Sequence, residues 1–202
     1  MRRGLIATAL VLLVAFAGAI ADLTVPFAEV RSGSYSAAPH AEGLQLASVD
    51  SSCKTPSGSV CAGRYAYAPG QELTGWFSVR NESPVPITLD GVPDSYFKQF
   101  SPELLLRPLA ALDGGDPSLG MTLTGTPFQP VVLAPHAQRL VGVAFRTSSD
   151  VAFACAHWGR DTALGWDRFP VAWHWAMTSH EATILLAQPI ELASPTARDC
   201  AG

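Results

Sequence analysis

Lysine is nearly missing from this chain: Lys54 and Lys98 stand against eleven arginines, and charged residues make up only 15% of the whole. The bias is that of GC-rich bacterial coding. With Arg2 and Arg3 set aside, 11 Lys and Arg face 17 Asp and Glu beyond Ala21, a net charge of −6. A mildly acidic body argues against nucleic acid or an anionic membrane surface as main partner. Metal-ligand spacing is missing too, since there is no C-x-x-C and no H-x-x-H, which a structural zinc site needs to set its ligands on one side of a turn. His40, His136, His157, His174 and His180 are scattered singly. No G-x-S-x-G nucleophile elbow occurs. Ser51 to Lys54 matches S-x-x-K, but no S-D-N or K-T-G partner follows. There is also no LPxTG-type sorting signal, no second long apolar run, no repeat and no long amphipathic helix beyond the N-terminus. The sequence therefore carries no catalytic motif and implies no cofactor.

One long apolar run is present. Arg2 and Arg3 precede the uncharged stretch from Leu5 to Ala21, which ends in Ala19-Ile20-Ala21 before Asp22. This is read as a signal peptide, slightly ahead of an uncleaved N-terminal membrane anchor. Either places the remainder outside the cytoplasm, secreted or held to the membrane through that segment alone. Four cysteines, Cys53, Cys61, Cys155 and Cys200, fit disulfides in such a compartment. Of three possible pairings we expect Cys53–Cys61 and Cys155–Cys200, worth about 2.5 and 4 kcal/mol in the chain-entropy model.

Organisation follows from pattern. Residues 1–21 are the signal or anchor, and 22–43, polar and Ala/Ser-rich, read as a linker or stalk. Residues 44–194 form the folded body and 195–202 a tail. In "ELTGWFSVRN" Leu73, Phe77 and Val79 alternate with Thr74, Ser78 and Arg80. In "VPITLDGV" Val85, Ile87 and Leu89 face inward and Thr88 and Asp90 outward. Val141, Val143 and Phe145 share a face. "RFPVAWHWAM" and "ATILLAQPIEL" read as a hairpin joined at "TSHE", with Phe169, Val171, Trp173, Trp175 and Met177 on the core face and His174 opposite. Turn signals every 8–15 residues predict an all-β antiparallel sandwich of about 7–8 strands.

Two segments carry a resemblance, "YAPGQELTGWFSVRNESPVPITLDGV" (67–92) and "FQPVVLAPHAQRLVGVAFR" (128–146). A Pro-Gly turn opens a strand ending in Arg-Asn, and a later L-x-P turn leads into a Val-rich strand. In these features the chain resembles bacterial exported immunoglobulin-like β-sandwich modules, with His136 where the turn usually has glycine. The resemblance implies a single immunoglobulin-like sandwich and a binding or structural role in the cell envelope, and it does not choose a ligand.

Candidate sites are few. "CAHWGRDTALGWDR", 155–168, gathers His157, Trp158, Arg160, Asp161, Trp166 and Arg168 between two strands. Trp faces and Arg forks suit a sugar ring, a carboxylate or a partner surface. The competing reading is that both tryptophans cap the sandwich while the charges pair. Tyr96, Phe97 and Phe100 of "PDSYFKQFSP" add aromatic surface, though a core role for one or two of them is the plainer reading. Asp113 and Asp116 in "LDGGDPSLG" fall short of a calcium ligand set. Asn81-Glu82-Ser83 fits a glycosylation sequon but, followed by Pro84, reads as a turn. The function expected is thus an envelope binding or structural module for an unknown protein or glycan. An extracytoplasmic metal-binding protein is the alternative, and a hydrolase without a recognisable motif stands behind it.

Overall fold

The structure, a computed structural model, describes residues 29–40, 46–49, 63–101, 104–119, 125–159 and 162–201. The apolar run 1–21, Cys53, Cys61, Arg160 and Asp161 lie outside them. Among the described residues no helix is long and apolar enough to cross a membrane.

The chain folds as an all-β sandwich of two packed sheets. The first has five strands in the order β1 (Val30–His40), β4 (Glu72–Asn81), β9 (Gln138–Thr147), β6 (Leu106–Gly115) and β7 (Thr126–Pro127). The second has six, in the order β2 (Leu46–Val49), β3 (Gly63–Tyr65), β11 (Thr178–Ala193), β10 (Ala163–Trp175), β5 (Ile87–Gly91) and β8 (Val131–Leu133). That exceeds the 7–8 strands expected, because short strands such as β3 and β7 are too brief to show alternation. All pairings are antiparallel except that of β11 with β3.

The inner faces are those the alternation marks. Leu73, Phe77 and Val79 of β4 and Val141, Val143 and Phe145 of β9 are buried from the first sheet, and Ile87 and Leu89 of β5 from the second. Phe169, Val171 and Trp173 come from β10, and Ile184, Ile190 and Leu192 from β11. Phe169 stacks on Phe77 at 5.6 Å and packs against Phe145 at 5.9 Å, so one ring of the second sheet sits between two of the first. Fully burying such a side chain contributes roughly 1.5–3 kcal/mol. Trp76 points the other way and is still only 3% exposed. Its ring lies over Gly142, where an added Cβ would meet it at 2.6 Å, so only glycine leaves room for it.

Three expectations need correction. First, the 22–43 stretch is not linker throughout, since Val30–His40 forms β1 on the edge of the first sheet. Among its described side chains only Val30 is buried. Instead the backbone N–H of Ser34 donates to Gln138 Oε1 at 2.8 Å and that of Tyr35 to Ser78 Oγ at 2.9 Å. Second, the β10–β11 hairpin turns at Ala176–Met177 rather than at "TSHE". Met177 is therefore 98% exposed at the tip and outside the core. Ala176 makes the turn with φ of 51°, a conformation a non-glycine residue adopts at a cost. Third, the 155–168 stretch is not a loop. A helix, Val151–His157, occupies its start, and β10 already runs from Ala163.

A misleading phase hid that strand. Pairing passes from Trp166↔Ile190 to Arg168↔Leu185, so one residue of β10 faces four of β11 across a bulge. The bulge shifts the inward phase by one residue, and both Trp166 and Phe169 pack on the core. Read at a strict period of two, "LGWDRF" looks irregular.

Asn81 joins the sheets. It is fully buried at the end of β4. Its Nδ2 donates to the carbonyls of Val85 at 2.8 Å, Leu133 at 3.1 Å and Ala134 at 3.1 Å. Its Oδ1 accepts from the Ser83 N–H at 3.0 Å and hydroxyl at 2.6 Å. The sequon asparagine is thus the buried knot of two turns. Asn81→Ala is expected to cost about 3–5 kcal/mol, because several buried groups lose their partner together. Asn81→Asp should cost at least as much, since an acceptor then faces three carbonyls. Denaturant unfolding followed by tryptophan fluorescence checks this, and a loss under about 1 kcal/mol in both variants would contradict the role.

Candidate functional site

The Val151–His157 helix is short, and its first turn is capped by Asp150, whose carboxylate accepts from the Phe153 N–H at 2.9 Å. One turn on, Cys155 is joined to Cys200, with the two Cα atoms 5.8 Å apart. The expected Cys155–Cys200 pairing is therefore present, and it fastens the tail 195–202 to the helix. In that tail Asp199 accepts from the backbone N–H and hydroxyl of Thr196, both at 2.7 Å, which holds its carboxyl below the usual range.

The helix ends at Trp158, which is 5% exposed and meets Tyr67 edge-on at 5.5 Å. Its indole N–H is buried without an acceptor among the described residues. The Tyr67 hydroxyl donates to the Ser148 carbonyl at 2.8 Å. Burial, with the nearby Asp150 and Asp199 charges, pushes that phenol up. His157 is exposed and turned back on its own helix, stacked on Phe153 at 4.1 Å with Nδ1 2.9 Å from the Phe153 carbonyl. A carbonyl only accepts, so Nδ1 carries the proton.

Trp166 is half-buried. It meets Phe100 at 5.0 Å, Phe145 at 6.0 Å, Phe169 at 6.1 Å and Tyr96 at 6.2 Å. The short helix Asp94–Lys98 delivers Tyr96 and Phe97 to this cluster, and burial raises the Tyr96 phenol to about 12. Arg168 pairs with its neighbour Asp167 at 2.7 Å on the open surface. The structure thus separates the six side chains singled out in the sequence. Trp158 and Trp166 pack on the one core against different neighbours, His157 and Arg168 bond locally, and Arg160 and Asp161 lie outside the described residues.

What surrounds them is a pair of hollows. One, of about 650 Å³, lies between Trp158, Thr162, the Cys155–Cys200 bridge and the tail. The other, of about 420 Å³, is lined by Trp166, Asp167, Gly165 and Pro189. Arg64 lines both, and its Nε stands 3.2 Å from Glu191 Oε2 in the parallel β3–β11 pairing. Neither Arg64 nor Glu191 stood out in the sequence. Arg64 sits in a strand of three residues, and its partner is 127 positions away.

Of the remaining candidates, four have partners within the fold. His174 Nδ1 lies 2.9 Å from Asp90 Oδ2 across β10 and β5. His180 stacks on Trp173 at 4.3 Å. Asp116 accepts from the Ser118 N–H at 2.8 Å, and Asp113 accepts from Arg139 Nε at 2.8 Å. Among the described residues no group of three or more His, Cys, Asp or Glu side chains stands close enough to hold a metal ion. Comparison with protein-family models finds none that matches, and no curated protein matches the chain.

Two outcomes follow. Replacing Cys155 and Cys200 with serine should lower stability by up to about 4 kcal/mol, measured by denaturant titration, since the bridge closes a long loop. For Asp113, burial pushes the carboxyl up, but the Arg139 hydrogen bond, the Gly115 N–H and the Arg139 charge outweigh it and hold the net value below the ordinary one. Its contribution is therefore present above the unfolded-state pKa of about 3.9 and disappears as pH falls through the folded value. Asp113→Asn should be less stable than the parent between neutral pH and about pH 5, and the gap should close on further acidification. A gap independent of pH would show that the charge plays no part.

Proposed function

We propose that the protein is an extracytoplasmic binding module built on an immunoglobulin-like sandwich, which takes its partner on the face holding the two hollows around Arg64. One observation carries this reading. The chain uses a disulfide to fix a tail over a short helix, at a place where a guanidinium, a carboxylate and two tryptophans border open concave surface. Arg beside aromatic walls is the combination enriched where proteins meet partners, and hollows of this size suit a side chain or a sugar ring. The disulfide supports placement outside the cytoplasm, where such bridges persist. The immunoglobulin-like assignment draws on the strand-and-turn pattern of 67–92 and 128–146 together with the two-sheet packing. In this reading Trp158 and Trp166 shape the site from beneath, while Arg64, Glu191 and Thr162 supply the polar contacts.

A photo-crosslinking side chain at Thr162, which is exposed at the mouth of the larger hollow, should yield one discrete adduct in intact cells of the native host. The adduct should disappear when Arg64 is changed to Ala. The same reagent at Val132, 70% exposed on β8, should give none. Equal adducts from both positions, or none from Thr162, would overturn the assignment of this face. Thiols trapped with alkylating reagent in the same cells should show Cys155 and Cys200 blocked, and free thiols there would overturn the compartment.

A further inference from the structure

A third hollow, of about 440 Å³, opens on the other side of the Val151–His157 helix, at the end of the five-stranded sheet. Its floor holds an arrangement that sheets normally avoid. Arg107 on β6 and Arg146 on β9 are direct register partners, which puts their Cα atoms about 4.5–5.5 Å apart. Like charges directly opposite on neighbouring strands are destabilising. Arg146 is relieved on its other side by Glu72, its register partner on β4, with which it forms an ion pair. Arg107 has no such relief among the described residues. No carboxylate among the described residues forms an ion pair with it, and its Nε is buried without a hydrogen-bond acceptor. An Nε–H that is desolvated and left without an acceptor costs more than a bonded one.

The rest of the hollow says what would relieve it. Ser148 and Ser149 line it with hydroxyls, while Leu104, Leu109 and Phe153 give it an apolar side. Asp150 also lines it, with one carboxylate oxygen committed to the helix cap. That negative charge disfavours a dianion more than a monoanion. The Arg107 fork suits a planar carboxylate, the Arg146 charge stands beside it with its own fork on Glu72, and the leucine and phenylalanine surface suits an apolar body of a few carbons.

We propose that this hollow binds a small organic monocarboxylate, its carboxylate held by Arg107 beside the Arg146 charge and its apolar part against Leu104, Leu109 and Phe153. The site is separate from the Arg64 face and does not depend on it. Octanoate represents a lipid-derived source of this chemistry and phenylacetate an aromatic one. Both are titrated into the full-length protein by heteronuclear NMR, with octanol and inorganic phosphate as comparators. At least one carboxylate should saturate at millimolar concentration or below, shifting the amides of Ser148, Ser149 and Phe153, and which of the two binds tighter identifies the source. Arg107→Gln should weaken it by about tenfold or more, the loss of one charge-assisted fork. Arg107→Lys, which keeps the charge but not the fork, should fall between. Arg107→Gln removes a like-charge contact and should melt no lower than the parent. Should it fail to fold, Arg146→Gln carries the same affinity test. The proposal is overturned if neither carboxylate saturates, if octanol binds equally, if phosphate binds as tightly, or if the folded glutamine variant keeps parental affinity.

Discussion

The amide of Asn81 is the contact on which the two sheets depend for their alignment. Hydrophobic burial drives them together, but it is non-directional and would tolerate a small slide of one layer over the other. Asn81 does not tolerate it. From the end of β4 it reaches the carbonyl of Val85, just ahead of β5, and those of Leu133 and Ala134 at the end of β8. The backbone closes the same knot, since His136 N–H donates to the Asn81 carbonyl and Asn81 N–H to that of Ala137. Hydrogen bonds fail beyond a few tenths of an ångström, so the knot sets register where packing alone sets only distance. It also accounts for His136 at φ of 61°: the left-handed turn presents its N–H to Asn81.

With register set, the core fills in a way that leaves few choices. Phe169 lies between Phe77 and Phe145, and a one-residue slip of β10 would turn it to solvent. The bulge between Trp166 and Arg168 then becomes necessary. It changes the inward phase so that Trp166 joins Phe100, Tyr96 and Phe145 above the same ring. The aromatic residues of two segments far apart in sequence thereby become one cluster, and the strand emerging from it lines the hollow beside Arg64.

How much of this was legible depended on whether burial or hydrogen bonding held each element. Strands β4, β5 and β9, and β10 from Phe169 onward, are held by apolar side chains at period two, and their inward residues can be read directly from sequence. Strand β1 is held by Ser78 and Gln138 reaching its backbone, and polar Ser/Ala sequence gives no periodic signal for that. The first part of β10 was hidden by its bulge, which breaks the period just where the strand is most aromatic. Of the candidate site, the crowding of tryptophan and arginine at 155–168 was visible, as was the Cys155–Cys200 bridge. That the tryptophans turn inward was not, nor that Arg64 and Glu191 stand between the hollows. Such pairs depend on a parallel contact between β3 and β11 that no local pattern announces.

The Val151–His157 helix deserves its place in any functional account because of where it stands. Phe153 on one side lines the hollow of Arg107 and Arg146, while Cys155 and Trp158 line the hollow beneath the tail. A helix of seven residues has too few internal hydrogen bonds to persist alone. It exists because the Asp150 cap, the Trp158 contact with Tyr67 and the bridge to Cys200 hold it from three directions. Tyr67 bonds in turn to the Ser148 carbonyl, at the rim of the arginine hollow. The two hollows therefore share one rigid wall rather than two independent ones. Anything that loosens that wall, the loss of the disulfide above all, must loosen both sites together, whereas a change of charge at Arg107 acts on one and leaves the Arg64 face as it was.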